Sequence, residues 1–207
     1  MILGAPPGEL HVATRLDAMV SGVVVVAAGR DGTRRVAELQ HAGALERRYV
    51  ALADGALKPA SGTWNVPVGV GKGGKPAAHG KDARLARTHF VVAESLTGAR
   101  ASGTTSLVVL SPETGRSHQL RVHASHAGAP LLGDVAHGGP RRIVRNDGSV
   151  VSLPRVFLHA FRIRVVQDGR EQWRAVAECP ADFVGTYVAL GGSPDSLGIR
   201  RLDTPPE

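Results

Sequence analysis

Residues 14–26 read TRLDAMVSGVVVV, a polar turn running straight into an apolar stretch that continues to Ala28. The uninterrupted apolar run from Val23 to Ala28, β-branched through Val26, predicts a strand buried on both faces, since a half-buried strand would alternate polar and apolar residues. Asp17 then has two readings. It is a turn aspartate ahead of a core strand, or a reactive carboxylate held at the mouth of that core.

The flanking sequence supplies more strands than helices. Spacing of Val36, Leu39 and Leu45 predicts a helix over 33–44 closed by Gly43. Alternation in RRYVALA, residues 47–53, predicts a half-buried strand turned by Asp54-Gly55. Residues 88–93 and 106–110 read as strands joined by a loop containing Gly98 and Gly103, and 158–166 with 172–177 as a hairpin over Asp168-Gly169. Residues 114–127 read as a helix with Thr114 at its N-cap and Gly128 as its stop. A last short helix is expected over 181–190. The glycine-rich 69–80, GVGKGGKPAAHG, reads as a mobile loop carrying two lysines. Residues 191–207 turn to Gly, Pro, Ser and Asp, the composition of a flexible tail. Hairpins outnumber strand–helix alternations, which favours an α+β domain on a largely antiparallel sheet.

Composition narrows the partners. The 207 residues suffice for one domain with a proper core. No apolar run is long enough to span a bilayer, and the opening MILG lacks the regions of a signal peptide. One cysteine, Cys179, excludes an internal disulfide and a cysteine-based zinc site. The expected location is the cytoplasm. Formal charge is +7, with 21 Arg against 4 Lys. Arginine's planar fork grips phosphate and stacks on bases, so the balance points to nucleic acid. Coding bias towards Arg, Ala, Gly and Val would produce the same excess.

A second informative stretch, residues 113–134, reads ETGRSHQLRVHASHAGAPLLGD. His118, His123 and His126 invite a metal, but they lack the i, i+4 pair that sets two ligands on one helix face, and no carboxylate completes them. Structural or RNA-facing histidines are the better expectation. Arg116 and Arg121 are five positions apart and cannot share one face of a regular helix, so Arg116 is expected near the helix start.

These stretches resemble the RluA-type pseudouridine synthases. TRLDAMVSGVVVVA is similar to that family's HRLD-x-x-TSG motif with its following apolar run, and ERRYVALADG to its K/R-x-Y-x-A-L segment. LARTHF resembles its A-x-T-x-aromatic strand. The 113–134 stretch resembles its TGR-S/T-HQ-I/L-R-x-H signature ending in GD, and RVFLHAFRI its later LHA element. Five matches in the family's order are far more specific than any one alone.

The resemblance implies a mixed, largely antiparallel sheet split by a cleft, with few flanking helices. It implies isomerisation of uridine to its C-glycoside in structured RNA without cofactor or metal; ribosomal and transfer RNA are both open, ribosomal RNA being the family's commoner target, and a monomer is expected. Asp17 would be the catalytic aspartate, Tyr49 would contact the base, and Arg121 would pair with the aspartate. Arg15 would help displace the base, while Arg116 would bind phosphate or brace the helix start. Leu120 joins the substrate-binding set.

Three departures stand out. Thr14 replaces the motif's His and Val20 its Thr. Family members also carry a K-P-x-G loop well before the aspartate, whereas sixteen residues precede Asp17 here. Either the start is placed too late or this is a shortened member, and the expected organisation is a catalytic domain over 1–190, short at its N-terminus, with a flexible tail over 191–207. A catalytically impaired RNA-binding relative is the alternative to an active isomerase.

Overall fold

A computed structural model describes residues 10–97 and 103–203 of the chain. Gly98, expected in a loop, lies outside the described residues. The elements in order are β1 (Leu10–Val12), β2 (Ser21–Gly22), β3 (Val26–Ala28), α1 (Gly29–His41), β4 (Leu45–Asp54), β5 (Ser61–Asn65), β6 (Val68–Val70), β7 (Pro76–Ala78) and β8 (Lys81–Arg84). Then follow β9 (Arg87–Leu96), β10 (Thr105–Pro112), α2 (Gln119–His126), β11 (Arg142–Val144), β12 (Val150–Ser152), β13 (Leu158–Gln167), β14 (Arg170–Val176), α3 (Ala181–Ala189) and α4 (Ile199–Asp203).

The main sheet runs β14-β13-β4-β10-β9-β5, every pair antiparallel, with the two residues of β2 added parallel to β13. It is the mixed, largely antiparallel α+β architecture that the pattern of hairpins predicts. The central strand β4 is the 47–53 strand expected, but it is buried on both faces from Tyr49 to Ala53 rather than half-buried. One face packs Val50 and Leu52 with Phe157, Phe161, Phe183 and Tyr187. The other packs Tyr49 and Ala51 with Leu120, Leu158 and Ala160. A domain this size needs both sides of its sheet covered to bury enough apolar area. The expected hairpin over 158–177 forms as β13–β14, and both turn residues take positive φ, Asp168 at 51° and Gly169 at 71°.

The valine run is not doubly buried. Only Val26–Ala28 is strand, paired with Leu10–Val12 in a separate two-stranded sheet. Val24 and Val26 are 41% and 48% exposed, while Val23 and Val25 turn inward onto Leu39, Leu45, Ile163 and Val165. The segment therefore alternates by geometry although its residues do not alternate by type. Composition could not show this.

The glycine-rich stretch 69–80 is not a mobile loop. It forms a small sheet, β7-β6-β8. A Cβ on Gly69 would lie 2.5 Å from the Lys81 carbonyl oxygen, and one on Gly80 within 2.8 Å of Val70 backbone. These glycines serve close backbone approach rather than flexibility. The arm is fastened to α2 by Val68, Ala86 and Val122 and by His123, whose Nε2 donates to the Val66 carbonyl at 2.9 Å while Nδ1 accepts from the Thr88 hydroxyl at 2.9 Å.

The helix expected from Thr114 begins instead at Gln119, and Thr114 is no N-cap. Its hydroxyl donates to the Gln119 side-chain oxygen at 2.7 Å and accepts from the Arg87 N–H at 3.0 Å. The expected tail is also corrected over its described part. Residues 194–197 form a 3₁₀ turn and 199–203 the helix α4. Leu197 and Leu202 join the larger core cluster, and the Asp203 carboxylate meets Arg162 at 2.5 Å. Two leucines among polar residues carry too weak a periodicity to signal a packed element.

Leu202 is 1% exposed, so Leu202→Ala should lower the unfolding free energy by about 2–4 kcal/mol in urea titrations, the usual cost of truncating a buried leucine. A loss under about 0.5 kcal/mol, typical of a surface site, would restore the tail.

Burial of His123 and His159 lowers the pKa of each below the ordinary 6.5. The folded protein thus binds fewer protons than the unfolded chain in that window, so stability rises with pH there and is lost as pH falls through 6.5. The urea midpoint should drop between pH 7.5 and 5.5, and His123→Gln should flatten the dependence. An unchanged midpoint in the parent would contradict it.

Candidate active site

The opening stretch 14–26 is anchored at both ends. The Thr14 hydroxyl accepts the Val25 N–H at 2.8 Å, and the Ala13 and Thr14 amides donate to the Val25 carbonyl. Thr14 thus closes the loop by hydrogen bonding. At the far end the Ser21 hydroxyl donates to His159 Nδ1 at 2.9 Å, while His159 Nε2 donates to the Ala177 carbonyl at 3.0 Å. Gly22, at φ 131°, lies so close to β13 that a Cβ would sit 2.3 Å from the Ala160 carbonyl oxygen. The Ser-Gly pair is a clamp onto β13. Asp17 lies between these anchors with 26% of its side chain exposed.

Opposite stands Arg121 on α2, with 8% of its side chain exposed. Its Nη1 donates to Asp17 Oδ2 at 3.2 Å. Its Nε and Nη2 donate to the two Asp134 oxygens at 2.8 and 2.7 Å. Asp134 is fully buried and forms the two-pronged partner of the guanidinium. Burial alone would lower the arginine's pKa, but the hydrogen bonds and charges of Asp134 and Asp17 outweigh it and raise it. Arg121 is therefore a fixed cation with one prong reserved for Asp17.

The two face a pocket of about 100 Å³ also walled by Tyr49, Arg15, Arg116, Leu120 and Arg47. All six residues that the sequence singled out line this one pocket. Tyr49 projects from β4, where it pairs with Leu110 and Ala160. Burial raises its hydroxyl pKa, with Arg47 opposing and Asp17 adding to the rise, so it stays a protonated donor. Arg15 is exposed and enters no ion pair among the described residues. Arg116 precedes the helix, as its spacing from Arg121 requires, and its Nε donates to the Leu85 carbonyl at 3.2 Å. Leu120 belongs to the core cluster and to the pocket wall at once.

Several residues of this region were not assigned from the sequence. Gln119 is a buried hub, accepting from the Arg116 amide and the Thr114 hydroxyl and donating to Arg87 and Thr88. Asp134 closes the 113–134 signature, yet nothing in its spacing names it as the partner of Arg121. His118, at φ 52°, sits with Nε2 4.0 Å from Asp17 Oδ2 and Nδ1 2.9 Å from His137 Nε2. Burial first, then Arg121, lowers its pKa, with Asp17 and Asp134 opposing. Among the described residues no three His, Cys, Asp or Glu side chains gather as a metal site. Both ring nitrogens of His123 are already engaged, so that histidine has none left for a ligand.

A profile of the RNA pseudouridylate synthase family matches residues 4–126. An "uncharacterized RNA pseudouridine synthase" of Chloroflexus aurantiacus is 35% identical over 179 residues, 86% of this chain and 51% of that protein. The ribosomal large subunit pseudouridine synthase D of Nitrosomonas europaea is 31% identical over 91% of this chain and 53% of its own length. The solved structure of human RNA pseudouridylate synthase domain containing 4 superposes with a TM-score of 0.68 at 26% identity, over 88% of this chain and 76% of that one. The chain thus spans about half the length of the curated relatives it matches. On its sequence and its fold together, the chain belongs to the RNA pseudouridylate synthase family.

Proposed function

We propose that this chain converts uridine to pseudouridine in structured RNA, with Asp17 as the nucleophile or base. The observation that carries the reading is the 3.2 Å contact between Asp17 and a buried Arg121 at the wall of a pocket shared with Tyr49. The net reaction breaks the bond from C1′ to N1 of the uracil, forms one from C1′ to C5, and moves the C5 proton to the freed nitrogen. It is redox neutral within a single nucleotide.

The Arg121 hydrogen bond holds the Asp17 carboxylate in place at the pocket wall, where a nucleophile or base must be positioned. Tyr49 supplies an apolar face for the uracil ring and a hydroxyl donor at its edge. A uridine inside a helix must leave its stack to reach Asp17, and Arg15, long, flat and unpaired, is suited to fill the space left behind. Arg116 and Arg47 at the rim offer cations to phosphates, and Leu120 completes the apolar wall. We favour ribosomal RNA as the substrate, in keeping with the Nitrosomonas relative, and a monomer acting without cofactor or metal.

Asp17→Asn should abolish pseudouridine formation while leaving RNA affinity within about twofold, because the amide keeps the shape and loses the anionic reactivity. Chemical mapping of pseudouridine in unmodified ribosomal and transfer RNA incubated with each protein gives the comparison. Activity within tenfold of the parent would remove Asp17 from this role.

A further inference from the structure

The structure holds a second and larger pocket. It measures about 320 Å³ and runs between the C-terminal half of α2 and the turn 71–75 with β7. Its polar wall consists of Lys72, Lys75, Ser125, His126 and His137, with the Gly71 backbone beside them, and among the described residues no carboxylate lines it. Neither lysine enters an ion pair among the described residues, in contrast to Arg34 and Arg35 of α1, which are matched by Asp31 and Glu38. An unneutralised amine pair facing two imidazoles and a hydroxyl is a setting for an anion.

The wall is built rather than floppy. Gly69 and Gly80 are pressed against opposing backbone, and the turn between β6 and β7 is tied by the Gly71 amide donating to the Lys75 carbonyl at 2.7 Å. Both lysines are therefore presented from a short, paired hairpin instead of a free loop. One side-chain contact links the two pockets. His137 lines the second and is hydrogen-bonded at 2.9 Å to His118, which lines the first beside Asp17.

Resting on the functional reading above, we propose that this groove is a phosphodiester subsite, where Lys72 and Lys75 hold the RNA backbone next to the extruded uridine. Lysines suit this task because an ammonium is a point charge that follows a phosphate without demanding one geometry, and so grips the backbone irrespective of sequence. The rim arginines of the first pocket and the lysines of the second then form one cationic track. The strand would be held on one side of the target while the uridine turns inwards.

The test measures binding, so its result is separate from whether Asp17 performs the chemistry. An RNA stem-loop from the large ribosomal subunit is titrated against the full chain over a salt series, with the parent, a Lys72→Gln/Lys75→Gln variant, a Lys72→Arg/Lys75→Arg variant and His126→Glu. Each lysine on a phosphate contributes about one unit to the slope of log affinity against log salt. The glutamine pair should flatten that slope by roughly two and weaken binding about tenfold or more. The arginine pair should keep both, and His126→Glu should weaken binding by placing a carboxylate in the groove. Unfolding midpoints confirm that each variant is folded. Affinity within twofold of the parent for the glutamine pair, a loss without a change in slope, or stronger binding of a glutamate-rich peptide than of the RNA would overturn the proposal.

Discussion

The site is organised around a buried carboxylate. Asp134, with no exposed side-chain surface, engages Arg121 through two hydrogen bonds of 2.7 and 2.8 Å. Stripping water from both ions is costly, and a buried pair of this kind is weak support for overall stability. What it fixes is direction. With Nε and Nη2 committed to Asp134, the guanidinium cannot rotate, and Nη1 is left aimed at Asp17. The turn carrying Asp134 is compressed accordingly. Gly133 and Gly139 sit where a Cβ would fall 1.7 Å from the Arg155 carbonyl oxygen and 2.0 Å from that of Leu131.

The remainder of the site is arranged around that line from Asp134 through Arg121 to Asp17. Gln119 pins the start of α2 to β9 through Arg87 and Thr88. His123, two residues after Arg121, fastens the helix to Thr88 and Val66. From the other side, Thr14 closes the aspartate loop and His159 holds it through Ser21. A short helix without a side-chain N-cap and a loop of thirteen residues would otherwise be weakly ordered. Hydrogen bonds to neighbouring strands supply the order that local propensity lacks.

How much of this was legible depended on the kind of signal. Asp17 and Arg121 are 104 positions apart, a separation no periodicity reaches, and only the co-occurrence of motifs linked them. Their position against Asp134 was unreadable because Gly-Asp at the end of a loop looks like any turn. The hairpin at Asp168-Gly169 was legible because its turn chemistry is local. The valines of 23–26 misled because β-branched residues occupy exposed edge strands as readily as buried ones. Residues 69–80 misled because glycine marks both flexibility and close approach, which only the opposing backbone distinguishes. Thr114 misled because its hydroxyl serves Gln119 rather than a helix end.

We propose that Arg121 serves Asp17 through its geometry and not merely through its charge. The most direct test is the single-turnover rate of uridine isomerisation by Arg121→Lys. Lysine keeps the positive charge but cannot grip Asp134 with two prongs and still present a third to Asp17. The expected rate is lowered by about a hundredfold, as for a displaced reacting group, with RNA affinity within about threefold of the parent. A lysine variant reacting within about fivefold of the parent would contradict it, showing that a nearby cation of any shape is enough.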